Sequence, residues 1–210
     1  MKYFDKYEGL IKDGSIPVSK EIKQAIERVN YFKDNYKFKQ NEADKRISFI
    51  EKECSNTKGI RSPLKLALPQ KVWLEVSWGF YHDMEVTKTN PDDMSKYKAV
   101  EERRLIHETS IIVGRGSGKT TLAAAVGTVG QIADGEYGAD VQELAYSREQ
   151  AGYLFNANRA MTYYDKSLLF LMREADMLSS TKQGMLYRPT NSLMSIKTSD
   201  YESLDGTNAH

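Results

Sequence analysis

Ile112-Val113-Gly114-Arg115-Gly116-Ser117-Gly118-Lys119-Thr120-Thr121-Leu122 is the stretch on which the fold turns. It runs from a β-branched segment through a glycine-rich turn into the start of a helix. Ser110-Ile111-Ile112-Val113, closing a stretch that begins at Leu105, predicts a buried strand. Gly116 and Gly118 let the backbone N–H groups turn inward and approach an anion closely, and the N-terminus of the next helix adds unpaired donors and partial positive charge. Together they make a cradle for a pyrophosphate. Lys119 then reaches the β- and γ-phosphates as a point charge, and the Thr120 hydroxyl is the metal ligand for a Mg²⁺ that bridges them. The candidate nucleotide contacts are therefore Gly114, Arg115, Gly116, Ser117, Gly118, Lys119, Thr120 and Thr121, with ATP and Mg²⁺ as the implied cofactors.

The match departs from the full G-x-x-x-x-G-K-[ST] pattern, which wants glycine at 113, where this sequence has Val113 with Gly114 one step late. That argues against a generic P-loop kinase or GTPase. The dinucleotide fingerprint G-x-G-x-x-G fails as well, because Lys119 occupies its third glycine. Arg115 lies four residues before Lys119, inside the loop and within reach of a γ-phosphate. Its planar guanidinium either stabilises charge developing on the transferred phosphoryl oxygens, as an arginine finger in cis, or simply holds phosphate. Lys119 and Arg115 are the two candidate catalytic residues.

Downstream, the pattern predicts a helix over 118–133 ending at Asp134-Gly135, a strand over 141–145, a helix over 148–163, a short helix over 168–172, and strands over 184–187 and 192–198. Strands alternating with helices imply a parallel α/β sheet with right-handed crossovers. With the phosphate loop, this is the pattern of a RecA-like P-loop NTPase. Upstream, Leu10-Ile11, then Ile22, Ile26, Val29 and Phe32, then Ile47 and Ile50 recur at helical spacing, with Ser19 as an N-cap and Gly14 and Pro17 between the first two helices. Cys54-Ser55-Asn56-Thr57-Lys58-Gly59 reads as a turn-rich linker followed by Pro63 and Pro69. It places a boundary near 58, between a helical segment (1–58) and a partial ATPase domain (59–210). A helix over 70–81 carries Val72, Trp73, Val76 and Phe80 on a core-facing side. Residues 82–95, with Asn90-Pro91-Asp92-Asp93, read as an exposed loop.

Composition narrows the rest. Thirty basic residues against 29 acidic ones leave +1, so no bulk field drives the 210-residue chain onto nucleic acid or an anionic membrane. The first 58 residues hold 13 basic against 10 acidic groups, a shallow excess that fits a solvated helix face or a basic face for DNA or a partner. Mean hydropathy is -0.59, and no apolar run approaches the ~18 residues of a membrane helix. Met1-Lys2-Tyr3-Phe4-Asp5 does not open a signal peptide, so the chain reads as cytosolic. Cys54 is the single cysteine, and His82, His107 and His210 are too scattered to suggest a metal site.

These segments together resemble the N-terminal part of a tailed-phage terminase large subunit, the ATPase of the DNA-packaging motor. Leu66-Ala67-Leu68-Pro69-Gln70 resembles the family's adenine-reading glutamine motif. The run from Gly114 to Ala124 resembles its deviant phosphate loop, which commonly lacks the first glycine and carries a basic residue where Arg115 stands, so Val113 fits the family. Asp134-Gly135-Glu136-Tyr137-Gly138-Ala139-Asp140-Val141 and Ala145-Tyr146-Ser147-Arg148-Glu149-Gln150-Ala151 resemble the segment leading to the second strand and helix. Asp205-Gly206-Thr207-Asn208 resembles the turn ahead of the ATPase carboxylates. The likeness covers roughly 45–210.

The resemblance implies that Gln70 reads adenine and that ATP drives double-stranded viral DNA into a procapsid. It also implies a portal protein and a small terminase subunit as partners, a homo-oligomeric ring on the portal, no membrane, and residence in the host cytoplasm with transient attachment to the procapsid. In the family a C-terminal metal-dependent nuclease follows, and the acidic pair that serves hydrolysis lies a few residues after the Asp-Gly turn, beyond His210. Within the chain, Leu168-Leu169-Phe170-Leu171-Met172-Arg173-Glu174-Ala175-Asp176 imitates an apolar run ending in acids but is interrupted and helical in context. Asp200 and Glu202 read as loop. Two other classes stay open at this level: a P-loop helicase or nucleotide kinase, and a non-catalytic assembly module.

Overall fold

The computed structural model describes residues 1–57, 59–181 and 184–198. Asp200, Glu202 and the turn at 205–208 lie outside the described residues. Packing gathers the chain into two compact units, one of Met1–Ile47 with Leu66–Ile111, the other of Ser48–Lys65 with Ile112–His210.

In the first unit, α1 (Lys2–Lys12), α2 (Lys20–Asn35) and the first half of α3 (Gln40–Glu53) form where the apolar spacing predicts them. Ser19 is the N-cap position of α2, and the interval with Gly14 and Pro17 separates α1 from α2. The next helix, α4, spans Leu68–Gly79 and ends two residues before the expected limit. Val72, Leu74 and Trp78 are buried, Trp73 and Val76 half-buried. Glu75 is fully buried on α4, yet its carboxylate accepts from Tyr3 N and Phe4 N, at 2.7 Å for the shorter, and from Gln40 Nε2 at 2.8 Å. A negative charge at the N-terminus of α1 satisfies donors that the helix itself leaves open.

The largest departure in this unit is the segment read as a loop. Residues 82–95 mostly belong to β2 (Phe80–Thr89), which pairs antiparallel with β3 (Lys96–Arg104) through nine residue pairs, so only 90–95 turn. The short β1 (Lys37–Phe38) joins the other edge of β2, giving the order β1-β2-β3. Phe38 and Phe32 both meet the buried Phe80 edge-on, at 5.0 and 5.6 Å. Gly79 is required beside them, since a Cβ there would lie 2.1 Å from the Phe38 ring.

In the second unit, α5 (Lys119–Thr128) runs into a π-helical turn (Val129–Ala133), where a single helix was expected. Then follow β4 (Asp140–Ala145), α6 (Arg148–Met161), α7 (Leu168–Glu174), β5 (Leu178–Ser180), β6 (Gly184–Tyr187) and β7 (Ser192–Thr198). Ser147 caps α6 by accepting from Gln150 N, and Ser167 caps α7 by accepting from Phe170 N, both at 3.2 Å. Leu122, Ala125, Val129, Phe155, Met161, Leu169, Met185 and Met194 build the core.

The sheet order is β4-β7-β6-β5, and only β4 and β7 are parallel, so the expected all-parallel sheet is corrected to a mixed one. The connections decide this. The connections between β5 and β6 and, through a 3₁₀ turn at Arg188–Thr190, between β6 and β7 are far too short in residues for crossovers. The buried strand expected over 110–113 does not form either: 111–114 carry no strand pairing, and Ile112 is 97% exposed. β-branched residues make a strand only where a neighbouring strand accepts them, and no described strand pairs with this run.

Candidate functional site

The glycine-rich turn expected to be a phosphate loop occupies 114–118 and delivers the chain into α5. Gly116 and Gly118 sit at φ +86° and +77°, with Gly118 the N-cap residue of α5 in left-handed geometry. A Cβ at Gly116 would meet nothing within 4 Å, so conformation rather than space demands glycine there. Lys119 folds back over the turn, its ammonium donating to Val113 O at 2.8 Å and Gly114 O at 3.0 Å. Ser117 Oγ donates to the same Gly114 carbonyl at 2.7 Å. Gly114, Arg115, Gly116, Ser117, Gly118, Lys119 and Thr120 are all exposed, and Thr121 is half-buried on the first turn of α5.

Eight of the nine expected site residues therefore share one turn and one helix start. Gln70 belongs to the first unit, as the third residue of α4. There its Oε1 accepts from Ala67 N at 2.9 Å, a capping contact at the helix N-terminus. The described acidic run, 168–176, offers no carboxylate pair at a strand end. Glu174 closes α7 in an ion pair with Arg173, and Asp176 lies 3.4 Å from Arg188 on the surface. Among the described residues no group of three or more His, Cys, Asp and Glu could hold a metal, and no helix is long and apolar enough to cross a membrane.

Two features of this unit were not legible in the sequence. Thr57, assigned to a linker, places its Oγ1 3.4 Å from Thr121 Oγ1. Glu143 of β4 is 4% exposed and accepts from Asn158 Nδ2 of α6, while its Oε2 and Asn158 Oδ1 are buried without partners. Burial pushes the Glu143 carboxyl up to about 7, partly opposed by the Asn158 hydrogen bond. A carboxylate at the fourth position of a strand carries no sequence signal of burial, because its neighbours on the sheet are set by tertiary pairing.

The second unit belongs to the α/β class, with a glycine-lysine-threonine turn at the head of a helix. Within that class the chain belongs to the terminase large subunit ATPase family. The family described as "Terminase large subunit, ATPase domain" matches residues 95–210, more than half of the chain. The terminase large subunits of Lactococcus phage p2 and Lactococcus phage SK1 are each 27% identical to it over 209 residues, covering 100% of this chain and 36% of theirs. The chain thus spans 36% of the length of these curated relatives. The crystal structure of the HK97 bacteriophage large terminase is similar at a TM-score of 0.52 and 20% identity, over 80% of this chain and 28% of that one. At that identity the likeness concerns the fold.

Proposed function

We propose that this chain is the ATP-binding part of a terminase large subunit whose RecA-like P-loop domain powers movement of double-stranded viral DNA into a procapsid. The observation that carries the reading is the turn at 114–119, with two glycines in left-handed geometry and an ammonium curled over its carbonyls at the N-terminus of α5. Family membership favours it over a helicase or nucleotide kinase.

In this reading the amides of 114–118 and of the first turn of α5 hold the phosphates, Lys119 pairs with the β- and γ-phosphates, and Arg115 acts on the γ-phosphate. Gln70 reads adenine. Exposed at the head of α5, the Thr120 hydroxyl would hold a Mg²⁺, which when bound neutralises charge on the bridging phosphate oxygens. Residues 59–210 are the ATPase portion and 1–58 an appended helical segment. The complete protein would act as a ring on the portal, with the small subunit as partner, in the host cytoplasm and transiently on the procapsid. Lys119→Ala is expected to abolish ATP binding in calorimetry; an unchanged affinity refutes the reading.

A further inference from the structure

The described residues on either side of Lys58, 54–57 and 59–64, pair with each other rather than run on as a linker. Ser55 and Pro63 form an antiparallel bridge, Leu64 N donates to Cys54 O at 2.9 Å, and Asn56 reaches Ser62 twice, N to O at 3.0 Å and Nδ2 to Oγ at 2.9 Å. Cys54 and Ser55 are fully buried where the two segments pair. Gly59 lies at φ +74°, and Ile60 beside it is 91% exposed. The paired segments are fastened at two further points. Thr57 Oγ1 lies 3.4 Å from Thr121 Oγ1 on the first turn of α5. Arg61 donates to Tyr163 O just past α6 and faces the Tyr163 ring at 5.6 Å.

The polarity of a phosphate loop gives this arrangement a direction. The lysine reaches the β- and γ-phosphates and the following threonine faces the bridging Mg²⁺, while the remaining backbone donors serve the α- and β-phosphates. Thr121, one residue beyond Thr120, then falls on the α-phosphate side. A hydroxyl held against Thr121 stands at the nucleoside end of the triphosphate, not at its γ end. Pairing the two segments and tying both to the unit fixes that hydroxyl before any ligand arrives, which lowers the ordering cost of using it.

We propose that Thr57 is a nucleotide-contacting residue whose hydroxyl hydrogen-bonds the ribose of the bound nucleoside triphosphate, with the paired segments 54–57 and 61–64 holding it in place. This rests on the triphosphate reading of residues 114–121. The test titrates ATP and inorganic tripolyphosphate, each with Mg²⁺, into the chain and its Thr57→Val, Thr57→Ser and Lys119→Ala variants by calorimetry, after thermal melts establish that each is folded. Thr57→Val is expected to weaken ATP about five-fold, the worth of one neutral hydrogen bond, while leaving tripolyphosphate within about two-fold; Thr57→Ser restores ATP. Lys119→Ala loses both ligands. If the parent chain binds ATP and Thr57→Val binds it equally well, the ribose contact is overturned and the triphosphate reading stands. Equal weakening of ATP and tripolyphosphate overturns it too, because Thr57 then only braces the phosphate loop. Binding of neither ligand by the parent chain removes both readings together.

Discussion

Replacing Glu143 by glutamine should stabilise the protein at alkaline pH and leave it nearly unchanged in acid. The Glu143 side chain is 4% exposed, and the one hydrogen bond it accepts comes from Asn158 Nδ2, which also lies 2.7 Å from Met194 Sδ. Ionised, it leaves a charged oxygen buried opposite an amide oxygen that likewise lacks a donor. Protonation turns that oxygen into a donor and removes the charge. Burial raises the folded-state value to about 7 from 4.5, so the folded protein holds the proton more tightly than the unfolded chain does. The stability this contributes is fully present below 4.5 and is lost as pH climbs through about 7.

At about 1.4 kcal/mol per unit, that gap corresponds to about 3 kcal/mol as an order of magnitude. Glutamine keeps the shape and an acceptor for Asn158 but does not titrate. The difference in unfolding free energy between Glu143→Gln and the parent should therefore grow by about 3 kcal/mol between pH 4.5 and pH 8, equivalent to a gain of roughly 6–12 °C in the midpoint at the upper end. Urea unfolding followed by circular dichroism at half-unit pH steps measures it. A difference that stays constant with pH refutes the assignment of Glu143 as a buried group that titrates near neutrality.

Three further perturbations test the site and its surroundings. Arg115→Ala, placed in a full-length terminase large subunit, should spare ATP binding and lose steady-state turnover; normal ATPase activity counts against a cis arginine finger. Gln70→Ala should weaken ATP more than GTP, and because Gln70 Oε1 also accepts from Ala67 N it should cost about 1 kcal/mol of helix capping. An unaltered ATP-to-GTP ratio with only the stability loss leaves Gln70 as a cap. Cys54 is fully buried, and that burial, with the Glu53 charge adding to it, pushes its thiol up to about 12. An aromatic disulfide reagent at pH 8 should leave the native thiol unmodified over hours and titrate one thiol in guanidinium; prompt native reaction would show that the pairing of 54–57 with 61–64 opens.

Local pattern was enough for some elements and silent on others, for identifiable reasons. α6, β4, β6 and β7 follow from short apolar runs bounded by turns. The β2–β3 ribbon carries hardly any apolar code. Its two strands are mostly exposed, and they are joined by register and by cross-strand ion pairs such as Lys98–Glu85 and Lys88–Glu101. Read along one strand, those charges look like a loop; only the pairing shows that they face each other. Ser110-Ile111-Ile112-Val113 fails in the opposite sense, having strong β-propensity but no described strand beside it. The turn at 114–118 was legible as a turn because two positive φ angles force glycine at fixed positions. Thr57 was not, because a contact spanning 64 residues leaves no spacing to read.

The geometry of the loop also bears on how an anion would be taken up. Lys119 and Ser117 between them place three donor contacts on the Val113 and Gly114 carbonyls, so the lysine is curled over the turn it would serve rather than extended into water. Freezing a lysine side chain costs up to about 2 kcal/mol, and here part of that ordering belongs to the folded protein itself. A triphosphate has to replace two neutral carbonyl acceptors with charged oxygens. The ammonium's bonds to the carbonyls are already charge-assisted, and what an ionised phosphate oxygen would add is the attraction of a full opposite charge, which favours phosphate over ligands that offer only neutral acceptors. In the proposed nucleotide reading the carbonyl contacts would act as a discriminator as well as a tether: a ligand without at least one ionised oxygen in reach of Nζ would gain little over the carbonyls it displaces. The two left-handed glycines set where that exchange occurs, because any side chain at 116 or 118 would strain the curve that brings the 113 and 114 carbonyls under the ammonium.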